Sequence, residues 1–146
     1  MSELGSKMED QAAIEALLAS PVLARIATAD PVTCQPHVVP VWFAWDGKSL
    51  WISSFTNTRK VRELRLNPKC SVLIEPTDSN MSLQAVILEG EVEFITQPKE
   101  YIIETATRIY ARYLGSEGVL SSESQSWLYD PHHLIIKLTP QKIITW

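Results

Sequence analysis

Two cysteines, Cys34 and Cys70, are too few for a disulfide framework in a chain of 146 residues. They fall in segments that read as a turn and a strand, so both are expected as reduced thiols. Cys34 and His37 form a single C-x-x-H, and three histidines and two cysteines supply no second ligand pair, which speaks against a metal site. The adjacent His132 and His133 would face opposite ways on a strand. No apolar run approaches the ~20 residues of a membrane span. Residues 1–10 lack the basic start and apolar core of a secretory signal, so a cytoplasmic location is the expectation. Positive charge is also scarce. A net charge of −4 and a pI near 5.4 argue against nucleic acid as the main partner. There is no internal repeat, no Ser-His-Asp order and no carboxylate pair apart from a solvated face; Cys34, without an evident base, reads as incidental.

What remains is a chain of ordinary globular composition, 45% hydrophobic, long enough for one domain with a full core. Ile14, Leu17 and Leu18 at helical spacing, stopped by Ser20-Pro21, predict an amphipathic helix within 1–20. The β-rich segments 22–29 and 37–45 flank A-D-P-V-T-C-Q-P and should pair as a hairpin. Asp46-Gly47 turns the chain into a strand over 49–55, and 69–75 reads as another. The segment 84–95 alternates, with Val86, Leu88, Gly90, Val92 and Phe94 on one face and Glu89, Glu91 and Glu93 on a face turned to solvent. A long helix is predicted over 98–115, from Pro98 to Gly115, and its aromatics are read as core packing. The Ser- and Glu-rich stretch 116–125 reads as a loop, and 132–138 and 143–146 as closing strands. About seven strands and three helices without strand-helix-strand repetition predict a mainly β fold with segregated helices, closed as a small antiparallel barrel.

The segment 51–68, W-I-S-S-F-T-N-T-R-K-V-R-E-L-R-L-N-P, carries the strongest chemical signal. Capping candidates Asn57 and Thr58, apolar Val61 and Leu64, and the stop at Asn67-Pro68 predict a helix over 58–67. Arg59 and Lys60 fall in its first turn, where free amides and the positive end of the macrodipole make each cation cost up to about 1 kcal/mol. Either the two side chains extend into water, as most helix-end charges do, or an anion such as a phosphate compensates them. Arg59, Lys60, Arg62, Arg65 and Lys69 concentrate five of the thirteen basic residues, enough for a phosphate and too few to follow a nucleic-acid backbone.

The order I-A-T-A-D-P, Q-P-H-V-V-P-V-W-F-A-W-D-G, L-W-I-S-S, T-R-K-V-R-E-L-R-L-N-P and E-G-E-V-E, followed by the terminal L-I-I-K-L-T-P-Q-K-I-I-T-W, resembles the pyridoxamine 5'-phosphate oxidase-like flavoproteins. The resemblance implies a single-domain, six- to seven-stranded antiparallel split β-barrel of the flavin mononucleotide (FMN)-binding type, with its barrel core over 22–95 and closing strands over 132–146. It also implies a homodimer with FMN at the subunit interface. It assigns Arg59 and Lys60 to the phosphate, with Thr58 ahead of them and Ser53 and Ser54 near the ribityl-phosphate. His37, Val38, Val39, Pro40 and Val41 fall along the isoalloxazine ring, and Gln84 near a position that reaches the flavin of the partner subunit. Pro40 has no N–H to give, so ring recognition would run through its neighbours.

The chain lacks the C-terminal Arg-x-His element of true pyridoxamine phosphate oxidases, so that substrate is not expected. The leading expectation is an FMN-binding oxidoreductase acting on a small molecule. The ending I-Y-A-R-Y-L-G of the long helix resembles the deazaflavin-dependent reductase branch, whose coenzyme carries a longer acidic tail. Lys7, Arg25, Lys48, Lys99, Arg108, Arg112, Lys137 and Lys142 are scattered and form no second basic patch for such a tail. A non-catalytic flavin- or haem-binding protein is the third reading.

Overall fold

Residues 7–78 and 80–146 are described by the computed structural model; the start of the predicted unit 1–20 lies outside them. Helix α1 (Lys7–Leu18) buries Ile14, Leu17 and Leu18 and ends before Pro21. Strands β1 (Ala24–Ala29) and β2 (Pro36–Val41) pair antiparallel as expected, with Arg25 opposite Pro40. β2 pairs only with β1, and an edge strand tolerates Pro36 and Pro40, which lack a donor. The predicted strand 37–45 breaks at Trp42-Phe43, leaving β3 (Ala44–Trp45) to pair with β4 (Leu50–Phe55). Helix α2 (Arg59–Leu66) follows, then β5 (Lys69–Ile74) and β6 (Val86–Ile95).

Helix α3 (Lys99–Gly118) is interrupted at Gly115, whose φ of 79° no other residue type adopts cheaply, so the predicted stop at Gly115 marks a kink. The stretch expected to be a loop contains the start of a fourth helix, α4 (Ser122–Leu128). Ser121 caps it, accepting from the Ser124 amide at 3.2 Å, and Ser124 and Leu128 are its buried residues. Strands β7 (His133–Leu138) and β8 (Lys142–Thr145) close the chain.

The strands run in the order β2-β1-β5-β6-β7-β4-β3, with β8 also on β6, and every pair is antiparallel. They make a curled half-barrel. Its interior is filled by Ile26, Phe43, Leu50, Ile52, Leu88 and Leu134 and by Val61 and Leu64 of α2. The outer face of β4 and β7 is covered by α3 and α4, where Ile135 packs with Ile102, Ala106, Ile109 and Leu128. Of the expected acidic face of β6, Glu91 and Glu93 are exposed, while Glu89 is half-buried beside Ser71.

Along β6, residues 86–91 pair with β5 and residues 92–95 with β7, while residues 86–89 also pair with β8. The β7–β8 corner therefore crosses at Gly90. A Cβ there would stand 3.2 Å from the Gln141 nitrogen, the Thr139 oxygen and a Leu138 methyl. Gly90→Val is expected to destabilise the fold by about 1–3 kcal/mol through overpacking against backbone, read as a lower urea midpoint with unchanged slope.

Candidate functional site

Between β2, β4, α2 and α3 lies a cleft of about 350 Å³, lined by Pro40, Val41, Trp42, Ser53, Lys60 and Tyr110, with Leu23, Phe55 and Trp127 at its sides. Strand alternation sends Ser53 and Phe55 outward from β4 while Ile52 and Ser54 point into the barrel. The aromatic wall is closely packed. Trp42 stacks on Tyr113 with centroids 4.9 Å apart and planes 6° from parallel, and Trp127 meets both Trp42 and Tyr110 edge-on.

Among the described residues, Lys60 is the only cation lining this cleft. It is half-buried, has no hydrogen bond or ion pair among the described residues, and desolvation holds its pKa below the ordinary lysine range. The backbone around it also lacks anionic cover. Thr58 adopts the extended conformation of an N-cap, but its hydroxyl donates to the Phe55 carbonyl at 2.9 Å, so no side chain caps α2 and no acidic residue stands in the first turn.

Arg59 faces elsewhere. Its Nε lies 3.2 Å from Glu63, which is buried and also accepts from the Thr28 hydroxyl at 2.6 Å. These two hydrogen bonds, Thr28's the stronger, hold the Glu63 carboxyl below the usual carboxylate range. His37 Nδ1 is 3.3 Å from the same carboxylate, outside hydrogen-bonding geometry. The sequence carries the signal for this separation. Glu63 stands four residues after Arg59, whereas the fourth residue after Lys60 is Leu64.

A directed hydrogen-bond chain runs from the cleft into the protein. The Leu128 carbonyl, 3.0 Å from His133 Nδ1, can only accept, so Nδ1 carries the hydrogen. Burial lowers the His133 pKa and so favours the neutral ring, in which Nε2 accepts from Ser53 at 2.7 Å. Burial raises the Tyr110 pKa, and its hydroxyl donates to Ser53 Oγ at 2.7 Å. Ser53 thus turns only a lone pair toward the cleft.

Four of the residues singled out from the sequence meet here: Pro40, Val41, Ser53 and Lys60. Ser54 is buried with its hydroxyl 3.4 Å from that of Thr58. His37 turns to Glu63, Val38 is 62% exposed, and Val39 packs against the barrel core. Gln84 stands just before β6, its amide donating to the Trp146 carbonyl, and does not line the cleft. Trp42, Phe55, Tyr110 and Trp127 escaped the sequence reading. Tyr110 is buried in the core beside Ile109 and Leu128, as its place in α3 predicts, and it forms one wall of the cleft as well. His132 and His133 do face opposite ways, His132 outward to Thr56 at 2.9 Å and His133 inward. Cys34 is exposed in its turn, and burial pushes the Cys70 thiol up to about 12.

A family model for pyridoxamine 5'-phosphate oxidase matches residues 10–146. The chain belongs to this family. Solved structures agree in fold. A conserved hypothetical protein of Mycobacterium tuberculosis superposes with a TM-score of 0.74 at 23% identity, over 98% of this chain and 85% of that one. An F420 reductase gives 0.71 at 26% identity, over 89% and 94%. The haem storage protein of Vibrio cholerae gives 0.71 at 14% identity, over 97% and 95%. No curated protein matches the chain by sequence. No helix among the described residues is long and apolar enough to cross a membrane.

The lowered His133 pKa means that the unfolded chain takes up the proton first. The stability due to neutral His133 is whole above the ordinary histidine value of ~6.5 and is lost as the pH falls from there toward the folded value. The thermal midpoint should therefore decline as the pH falls below the ordinary histidine value of ~6.5, before the carboxylate range of ~4 is reached. His133→Gln should flatten that decline.

Proposed function

We propose that the chain is an oxidoreductase that holds FMN in this cleft and acts on a small molecule. The observation that carries the reading is Lys60, a half-buried cation without a protein anion at an uncapped helix start. A phosphate group would satisfy the ammonium and the open amides of α2 together. The remaining donor set fits the same ligand in sequence. Ser53, its hydrogen committed to His133, would accept from ribityl hydroxyls, and the Trp42 and Trp127 rings beside Pro40 and Val41 would flank a planar ring. Bound there, FMN supplies hydride and single-electron chemistry, while the protein's part is to orient the ring and shape access to it. Tyr110, held against Ser53 and Trp127, fixes the width of the slot.

A second reading, the deazaflavin coenzyme, is supported by the likeness to an F420 reductase. FMN stands first because the longer acidic tail asks for further cations beside Lys60. Arg62 instead donates to the Asn57 carbonyl at 3.1 Å and lies with Arg59 and Glu63 in a separate hollow. A haem reading, suggested by the Vibrio cholerae neighbour, is weaker, since no histidine lines the cleft and both His133 ring nitrogens are engaged.

The working unit is proposed to be a homodimer. Leu23 at the cleft, Val38 on the edge strand, and Ile143 and Trp146 at the chain end are exposed apolar groups that a second copy would cover. Light scattering should give twice the 16.5 kDa chain mass, and a particle of chain mass at micromolar concentration overturns this arrangement.

Lys60→Met is expected to weaken FMN binding at least tenfold in a fluorescence-quenching titration, the loss of one charge-assisted contact of ~1.5–3 kcal/mol. Arg59→Ala should weaken it less and instead lower the melting temperature, because buried Glu63 loses a partner. Unchanged affinity in Lys60→Met overturns the phosphate assignment. Equilibrium dialysis against both cofactors ranks them: deazaflavin bound at least tenfold tighter than FMN reverses their order.

A further inference from the structure

A second cavity, of about 570 Å³, opens between α3 and the β3–β4 hairpin, apart from the cleft that holds Lys60. Helical geometry builds one wall. Tyr101, Thr105, Arg108 and Arg112 recur at the spacing of a single face of α3, next to the Ile102, Ala106 and Ile109 face that packs on the sheet. The opposite wall is Ala44 and Trp51, which share the outer face of the β3–β4 pair, while Trp45, paired with Leu50, packs on the barrel side and borders the cavity at its edge.

Both indoles are pinned by carboxylates. Trp45 Nε1 donates to both Glu15 oxygens, at 3.2 and 3.1 Å, and Trp51 Nε1 donates to Asp46 Oδ2 at 2.9 Å. The Trp51 ring is thereby held before any ligand arrives, and a preorganised wall loses little entropy on binding. Tyr101 stands edge-on to Trp51, with centroids 6.3 Å apart.

Charge bookkeeping around this cavity leaves one free group. The Asp46 carboxylate already accepts from the Lys48 and Ser49 amides and from Trp51. Arg112 is spent on the carbonyls of Phe43, Leu18 and Ser20. Lys137 lies over the Trp51 ring at 4.9 Å and 3.5 Å from Glu93. Arg108 has no hydrogen bond or ion pair among the described residues, and a guanidinium pairs best with a planar oxyanion in a two-pronged contact.

We infer that this cavity is a binding site for a small planar aromatic carboxylate, with the ring against Trp51 and Tyr101 and the carboxylate on Arg108. The site does not depend on the flavin reading, since it shares no lining residue with the cleft.

Isothermal titration of the full chain with 2-naphthoate and with its neutral alcohol, 2-naphthalenemethanol, tests this. The acid should bind once per chain with a Kd below about 1 mM, and at least tenfold more tightly than the alcohol. Arg108→Gln should remove that preference, Trp51→Leu should weaken both ligands, and Lys60→Met should leave acid binding unchanged. Equal affinity of wild-type protein for acid and alcohol, or no saturable heat, overturns the site without recourse to any variant. Loss of binding in Lys60→Met with Arg108→Gln unaffected also overturns it, by moving the ligand to the other cleft.

Discussion

Ten residues of β6 serve two sheets, and the rest of the architecture answers to that double pairing. One edge is occupied by β5 along residues 86–91, while the opposite edge is divided between β8 and β7. A strand committed on both edges cannot slip register without turning its core face to water. The curl it imposes leaves β2 without a partner on its outer edge and brings its end against β4 across the start of α2. The cleft exists because the barrel does not close there.

The electrostatic consequence is local. Arg59 and Lys60 are neighbours in sequence, but successive helical residues point about 100° apart. One cation is neutralised by buried Glu63, which itself braces α2 against Thr28 on β1, and the other is left in the cleft without a counter-charge among the described residues. A pair that reads as a double grip on one anion divides into a structural member and a ligand-seeking member.

Much of this was legible beforehand. α2 was readable because its stop, its cap position and its apolar pair agree, and β6 because ten alternating residues permit no other period. The break at Trp42-Phe43 was not, since the apolar run continues through it and only the sheet's curl interrupts pairing. α4 was missed because two buried residues and a serine cap give almost no periodic signal. Tyr110 is core as its position on the α3 stripe predicts, but its second role as a cleft wall is not legible, because the stripe passes there from sheet to cleft. No sequence pattern marks that point, which depends on where the sheet's outer face runs out.

Tyr113 joins distant parts of the molecule. Its ring backs Trp42, while its hydroxyl accepts from the Phe43 amide and donates to the Val22 carbonyl at 2.7 Å; next to it, Arg112 clasps the carbonyls of Leu18 and Ser20. The first helix is thereby wired to the far wall of the cleft through two adjacent side chains. The end of the first helix and the wall of the cleft therefore share one set of backbone anchors, and the position of the Trp42 indole is set in part from the far end of the barrel.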